Sequence, residues 1–310
     1  MSLSRTRIVA PLFIVAALAI LWVSGCGGGS GSSSAGADGK LNVVAAEDFW
    51  GSIAAQLGGD RVQVTSIITN PASDPHDYEP SSEDARTLAS AQMSIVNGIG
   101  YDEWASKLLA ASPESDRVEL TVGDVLGLEI GDNPHQWYSP ISVRKVIDEI
   151  TADYKRADPS NDSYFDRERR AFETEGLAEY NQLISQIKAA YAGTPVGASE
   201  SIFEPLAPSL GLKLITPKGF MDGIAEGTEP TPADRVTADR QIVDGQIAVW
   251  VYNSQNATPD VQRLNDEAKA AGIPIATVTE TLTPEGASFQ SWMSRELRGL
   301  RAALSRAGGG

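Results

Sequence analysis

The sequence predicts an α/β protein of two lobes, each a mostly parallel sheet flanked by helices, the lobes joined by one long rigid helix. Three observations predict it. From residue 41, short apolar segments alternate with helical ones, the pattern of parallel sheets with right-handed crossovers. A long helical stretch over residues 159–191 interrupts the alternation, which then resumes towards the C-terminus.

Leu41–Ala46 reads as the first strand and Phe49–Leu57 as a helix closed by Gly58-Gly59. Val62–Ile68 is the second strand. Ser81-Ser82-Glu83-Asp84 offers N-cap side chains for a helix through Ala89. Met93–Val96 is a third strand, followed by Gly98 and a helix around Trp104–Leu109. These elements form an N-terminal lobe, residues 41–158, which ends with a helix over Ile141–Tyr154. Asp158-Pro159-Ser160-Asn161 breaks that helix. The run Tyr164–Tyr191 has no Pro and a single Gly, and one α-helix of that length would extend roughly 42 Å. That is longer than one compact lobe requires, so residues 159–191 are expected to be a strut along both lobes.

The C-terminal lobe, residues 192–310, is expected to hold strands at Pro195–Ala198, Leu212–Ile215, Ile247–Tyr252 and Ile273–Val278. Helices are expected at Phe203–Leu210, Asp234–Val243, Pro259–Ala271 and Phe289–Leu304. The halves share an architecture but no residue-level repeat. Ligands of open parallel sheets sit off the carboxyl ends of the strands, so two facing lobes predict a site in the cleft between them.

Residues 1–25 read as an export leader. Arg5 and Arg7 precede an apolar run, Ile8–Val23, that is short for a membrane span of about 20 residues. It ends in Val23-Ser24-Gly25-Cys26, which resembles a bacterial lipobox and makes Cys26 the expected lipidated N-terminus. Residues 26–40 are mostly Gly, Ser and Ala and read as a flexible tether. With Cys26 lipidated no disulfide is possible, because it is the chain's one cysteine. The expected location is the outer face of the cytoplasmic membrane. The net charge of -16 argues against nucleic acid and against anionic lipid as ligands.

The chain has two histidines, both in proline-framed turns: Asp74-Pro75-His76-Asp77-Tyr78-Glu79-Pro80 and Asn133-Pro134-His135-Gln136-Trp137-Tyr138-Ser139-Pro140. Proline fixes φ and pushes its predecessor out of helix, so each imidazole sits on a stiff turn, where a metal site and a plain surface loop are both compatible with the spacing. In the second half, Glu200 follows the Pro195–Ala198 strand and Glu280 follows the Ile273–Val278 strand. Two neutral imidazoles and two carboxylates would cancel the charge of a divalent cation. By position alone, Glu200 also suits a helix N-terminus and Glu280 a solvated loop.

The two histidine motifs resemble those of the metal-binding receptors of bacterial ABC importers, the zinc- and manganese-binding lipoproteins. The first, with Asp84 after it, is similar to the family's first ligand motif. The second resembles its Asp-Pro-His-x-Trp motif, with Asn133 in place of Asp. The resemblance covers residues 40–305. It implies two lobes joined by a rigid helix with the metal between them, and a ligand set of His76, His135, Glu200 and Glu280. Glu200 stands where manganese-type members carry Glu and zinc-type members His, and Glu280 stands for the usual Asp. The extra methylene of Glu280 changes its reach, and Glu285 is the alternative fourth ligand.

The expected function is capture of a divalent ion, Mn2+ favoured and Zn2+ a close second, for delivery to an ABC permease with a separate ATPase subunit. The expected protein is a monomer, anchored through Cys26, and not an enzyme. A surface adhesin lipoprotein with a structural metal is the alternative, and a metal-dependent hydrolase a more distant one. The sequence carries no HExxH, GxSxG or phosphate-loop pattern.

Overall fold

The structure, a computed structural model, describes residues 39–70 and 78–308. The expected leader, Cys26, the expected tether before residue 39, and His76 lie outside the described residues.

The first sheet contains β1 (Leu41–Glu47), β2 (Val62–Ile68), β3 (Met93–Val96) and β4 (Val118–Thr121). Its helices are α1 (Asp48–Gly58), α2 (Ser82–Ala89), α3 (Glu103–Ala111), α4 (Val122–Leu126) and α5 (Pro140–Ala157). The second half contains β5 (Pro195–Ala198), β6 (Lys213–Leu214), β7 (Val249–Asn253) and β8 (Ile275–Val278). The connecting helices α6 (Asp162–Ala171) and α7 (Ala178–Tyr191) precede it. Its own helices are α8 (Ala207–Leu210), α9 (Lys218–Ala225), α10 (Pro232–Val243), α11 (Pro259–Ala270) and α12 (Phe289–Ala307).

Both sheets are parallel, with orders β2-β1-β3-β4 and β6-β5-β7-β8. The second sheet thus repeats the strand order of the first without repeating its residues. β1 shows why the strands read as continuous apolar runs. Val43 and Ala45 join the main core, while Val44 and Ala46 face a smaller cluster with Leu88, Ala105 and Leu109. A strand covered on both faces has no polar side. The main core continues from Val43 through the linking helices to Leu304, so the lobes share one apolar interior.

Helix starts follow local chemistry. Ser81 and Asp84 form a capping box at α2. α5, α10 and α11 each open with a hydroxyl N-cap and a proline at N1: Ser139-Pro140, Thr231-Pro232 and Thr258-Pro259. The expected helix Phe203–Leu210 is instead a 3-10 turn, Ser201–Phe203, followed by α8. Pro205 and Pro208 lack the N–H groups that one continuous helix needs.

The run Tyr164–Tyr191 is helical but is not one α-helix, and the uninterrupted strut is corrected accordingly. A π-turn, Phe172–Gly176, separates α6 from α7. There the Leu177 N–H donates to the Phe172 carbonyl at 2.8 Å. The extra residue is needed because Leu177 would face away from Phe172 on a plain α-helix, at about 100° per residue. With it, both side chains are buried. α6 packs on α1 and α5, and α7 packs on α8 and α12.

Candidate metal centre

His135, Glu200 and Glu280 come together. One ring nitrogen of His135 and one oxygen from each glutamate lie within 4.8 Å of one another. All three residues are buried, at 0 %, 1 % and 1 % exposure. Two carboxylates do not share a buried pocket without a reason, since uncompensated buried charge is costly.

Strand ends of one sheet deliver the carboxylates. Glu200 comes two residues after β5 and Glu280 two residues after β8. β7 lies between those strands and ends in Asn253. The Asn253 side-chain amide donates to Glu200 Oε1 at 2.7 Å and to Glu280 Oε1 at 2.9 Å. Asn256 donates to Glu200 Oε2 at 2.8 Å, and the Tyr101 hydroxyl to Glu280 Oε2 at 2.9 Å. Every oxygen of the pair thus accepts a donor from the chain. A carboxylate oxygen has two lone pairs, so accepting one donor does not bar it from a cation.

The loop after β8 is pinned along its backbone. The Glu280 and Thr281 N–H groups both donate to Gln255 Oε1. The Leu282 N–H donates to the Asp48 carboxylate, at 3.2 Å to Oδ2. The Thr279 N–H donates to Glu296 Oε1 at 2.9 Å. Tyr138, from the His135 turn, lies 2.8 Å from the Thr279 carbonyl and 2.6 Å from Glu296 Oε2. One hydroxyl proton cannot serve both oxygens. A neutral Glu296 resolves this: it donates to the Tyr138 oxygen, and Tyr138 donates to the carbonyl. Burial pushes the Glu296 carboxyl up to about 8, which fits that assignment.

His135 reaches the centre differently. It lies on a loop before α5, as N-cap of the 3-10 turn Gln136–Tyr138. Asn97, just after β3, donates from its amide to the Pro134 carbonyl at 3.0 Å and accepts from Trp50 Nε1 at 2.9 Å. Trp137 stacks on Phe49, with centroids 3.9 Å apart and planes at 22°, and its ring meets the His135 ring edgewise at 5.3 Å. Asn133 Oδ1 contacts the His135 backbone N–H at 3.0 Å and ring Nδ1 at 2.9 Å.

Tyr101 sits on a strained turn. Gly98, Ile99 and Gly100 all have positive φ, with Ile99 at 60°, a region that β-branched residues avoid. Asp102 holds the turn by accepting from the Asn97 and Gly98 N–H groups, both at 2.7 Å. The turn is followed directly by Tyr101, whose hydroxyl donates to Glu280 Oε2.

Two further buried acids lie at the junction of β1 and α1. Burial, followed by the neighbouring Asp102 charge, raises Glu47 well above the carboxylate range. Burial also pushes Asp48 up to about 7, partly offset by the Leu282 N–H.

Of the expected ligands, the structure brings His135, Glu200 and Glu280 together, while His76 lies outside the described residues. Glu285 is exposed, unlike Glu280. Sequence reasoning missed Asn253, Asn256, Tyr101, Glu296 and the pairing of Asn133. The strand-end rule that found Glu200 and Glu280 also selects Asn253, at the end of the very apolar β7.

Comparison with known proteins gives the context. The zinc-binding lipoprotein AdcA of Streptococcus pneumoniae (strain ATCC BAA-255 / R6) is 26% identical over 325 residues, covering 95% of this chain and 61% of AdcA. This chain thus spans less than two thirds of that relative's length. The manganese ABC transporter substrate-binding lipoprotein PsaA of Streptococcus pneumoniae is 24% identical, covering 89% of this chain and 93% of PsaA. A solved structure of a Mn-bound periplasmic metal binding protein from candidatus liberibacter asiaticus superposes with a TM-score of 0.70 at 19% identity. It covers 86% of this chain and all of that one, and establishes the likeness of fold. The family model described as ZnuA, zinc-uptake complex component A periplasmic, matches residues 43–303, and the chain belongs to that family.

Proposed function

We propose that this protein captures a divalent transition metal ion between its lobes and delivers it to an ABC permease driven by a separate ATPase subunit. The buried group of His135, Glu200 and Glu280 carries the reading. His76 is the proposed fourth ligand. Two neutral imidazoles and two carboxylates balance a +2 charge, so the filled site is neutral where the empty one holds two acids. Names of relatives at 24% and 26% identity, one manganese-binding and one zinc-binding, support both ions as cargo.

Mn2+ is the favoured cargo and Zn2+ the close second. Carboxylate oxygen suits Mn2+ and imidazole suits Zn2+. Four carboxylate oxygens, each with two lone pairs, allow a coordination number above the tetrahedral four of zinc. Bare affinity follows the opposite order, with Zn2+ above Mn2+, so preference for Mn2+ would have to reside in the loaded form that the permease accepts. The protein's part is to bind and release, with no bond made or broken in the cargo. Lipid on Cys26 would hold it at the outer face of the cytoplasmic membrane. No helix of the described residues is long and apolar enough to cross a membrane.

The test is metal content by mass spectrometry of protein purified without chelator, followed by Mn2+ and Zn2+ titration and uptake in cells. About one ion per chain and loss of uptake on deletion are expected. Protein that binds neither ion overturns the reading, and uptake that follows zinc alone overturns the preference for manganese.

A further inference from the structure

Asn133 stands where the resembling motif has Asp, and its surroundings explain the amide. Its Nδ2 donates to the Ser201 carbonyl at 2.8 Å and to Glu204 Oε2 at 2.9 Å. Both partners are pure acceptors. Its Oδ1 faces the His135 backbone N–H, a pure donor, at 3.0 Å. The amide can therefore take only one orientation, because the flipped one would set donor against donor and acceptor against acceptor at both ends. Oδ1 also lies 2.9 Å from His135 Nδ1. An acceptor at that distance requires a proton on Nδ1, so the lone pair that can meet a metal is on Nε2.

Resting on the metal-capture reading, we propose that Asn133 is the positioning residue for both halves of the centre. Its carbonyl holds His135 in the Nδ1–H tautomer, and its amino group ties the His135 turn to the turn that carries Glu200. Ser201 is the immediate neighbour of Glu200, so one short side chain sets the approach of the ring to a carboxylate from the other lobe. An Asp here would keep the first contact and lose the second, since it would set a carboxylate against Glu204 and the Ser201 carbonyl. Glu204 is in turn approached by Lys218 at 3.8 Å. His135 thus receives a neutral acceptor, whose partners Glu204 and Ser201 fix it in place.

The test exploits the two histidines. The full chain is labelled with ring-15N histidine and carries no histidine tag. Long-range proton–nitrogen correlation is recorded on metal-free protein near pH 8, where a neutral ring is the reference state. His76→Gln assigns the two rings. The wild-type His135 ring is expected as the Nδ1–H tautomer. Asn133→Asp keeps it, and Asn133→Leu releases it to Nε2–H or an exchanging mixture.

Mn2+ and Zn2+ titration should show a loss of about 10–100-fold for Asn133→Leu, the range found for partners of metal-binding histidines. Asn133→Asp should also lose affinity, because its carboxylate faces Glu204 and the Ser201 carbonyl, and adding Glu204→Gln, which restores a donor facing the new carboxylate, should recover part of that loss. Nε2–H or an exchanging mixture in wild-type protein overturns the proposal, as does failure of Glu204→Gln to recover any affinity. If Asn133→Leu does not fold, the wild-type spectrum and the Asn133→Asp, Glu204→Gln pair still decide. Protein that shows the tautomer but binds neither ion refutes metal capture and leaves the hydrogen-bond assignment standing.

Discussion

The two sides of the centre are built by different means. On the C-terminal side, β5, β7 and β8 lie next to one another, and the residues at or just beyond their ends are Glu200, Asn253 and Glu280. The backbone ladder places these side chains, and the remaining problem is electrostatic: two acids held together by one amide. On the N-terminal side, His135 belongs to no strand end. Its loop is fixed by Asn97, Asn133 and the stack of Trp137 on Phe49. There the problem is to give an irregular loop one conformation. The sheet side is therefore sensitive to charge and donors, and the loop side to packing as well as to the hydrogen bonds of Asn97 and Asn133.

Loss of a ligand should have the largest effect and tests whether both sides take part. His135→Ala, Glu200→Ala and Glu280→Ala should each weaken Mn2+ and Zn2+ binding by more than the roughly 100-fold upper range for an outer partner, measured by titration calorimetry. Glu285→Ala should bind as wild type. Wild-type binding by Glu280→Ala would remove one carboxylate from the sheet side.

The supports should separate the two sides. Asn253→Leu leaves two buried carboxylates short of a donor, at a cost of about 1–3 kcal/mol or more for charged groups. Melting of the metal-free protein should fall, and bound metal should restore much of the loss. Trp137→Ala opens a cavity on the loop side, at about 3–5 kcal/mol, and should lower metal-free and loaded melting alike. Equal rescue of both variants by metal would erase the distinction.

Smaller still is the effect of Glu296, which joins the sides through Tyr138 and Thr279. Its carboxyl is raised from 4.5 to about 8, so the folded state binds more protons than the unfolded state between those values. Stability should therefore fall as pH rises through that window. Asp48 adds a similar fall between 3.8 and about 7. Glu296→Gln keeps an acceptor for Thr279 and a donor for Tyr138. It should flatten the decline by on the order of 2 kcal/mol for this half-buried residue, read by urea melts from pH 5 to 9. An unchanged slope would mean that Glu296 is ionised in the folded state.

The smallest effect is expected at the outer end of the His135 chain. Lys218 is exposed and shared between Glu204 and Asp222. Lys218→Ala should change stability by less than about 1 kcal/mol and leave metal affinity within measurement error. A large loss would extend the loop-side support to the surface.

Most of the sheet side was legible in the sequence, because apolar strands and the residues after them can be read directly. Glu200 and Glu280 follow from that rule, and Asn253 follows from applying it once more. β4 was missed although Val118-Glu119-Leu120-Thr121 alternates, and α9 was missed because Gly219 and Gly223 dilute its helical pattern. The loop side was legible only at His135. Asn133 and Glu204 are 71 residues apart, and their pairing exists only once the lobes dock. Tyr101 is 179 residues from Glu280 and depends on a strained Ile99, which no propensity favours. The π-turn was hidden because the run Tyr164–Tyr191 has no Pro and its single Gly, Gly176, can be accommodated in a helix, and the break answers tertiary packing.

That turn makes the linker a counter. Removing one residue between Phe172 and Leu177 would shorten the segment by about 1.5 Å, a trivial length, but would swing everything after it by about 100° in azimuth. α7 would then offer a different face to α12, and the second sheet would be clocked away from the first. The mutual heading of the two sheets is thus encoded as an integer, the number of residues in a single turn of helix.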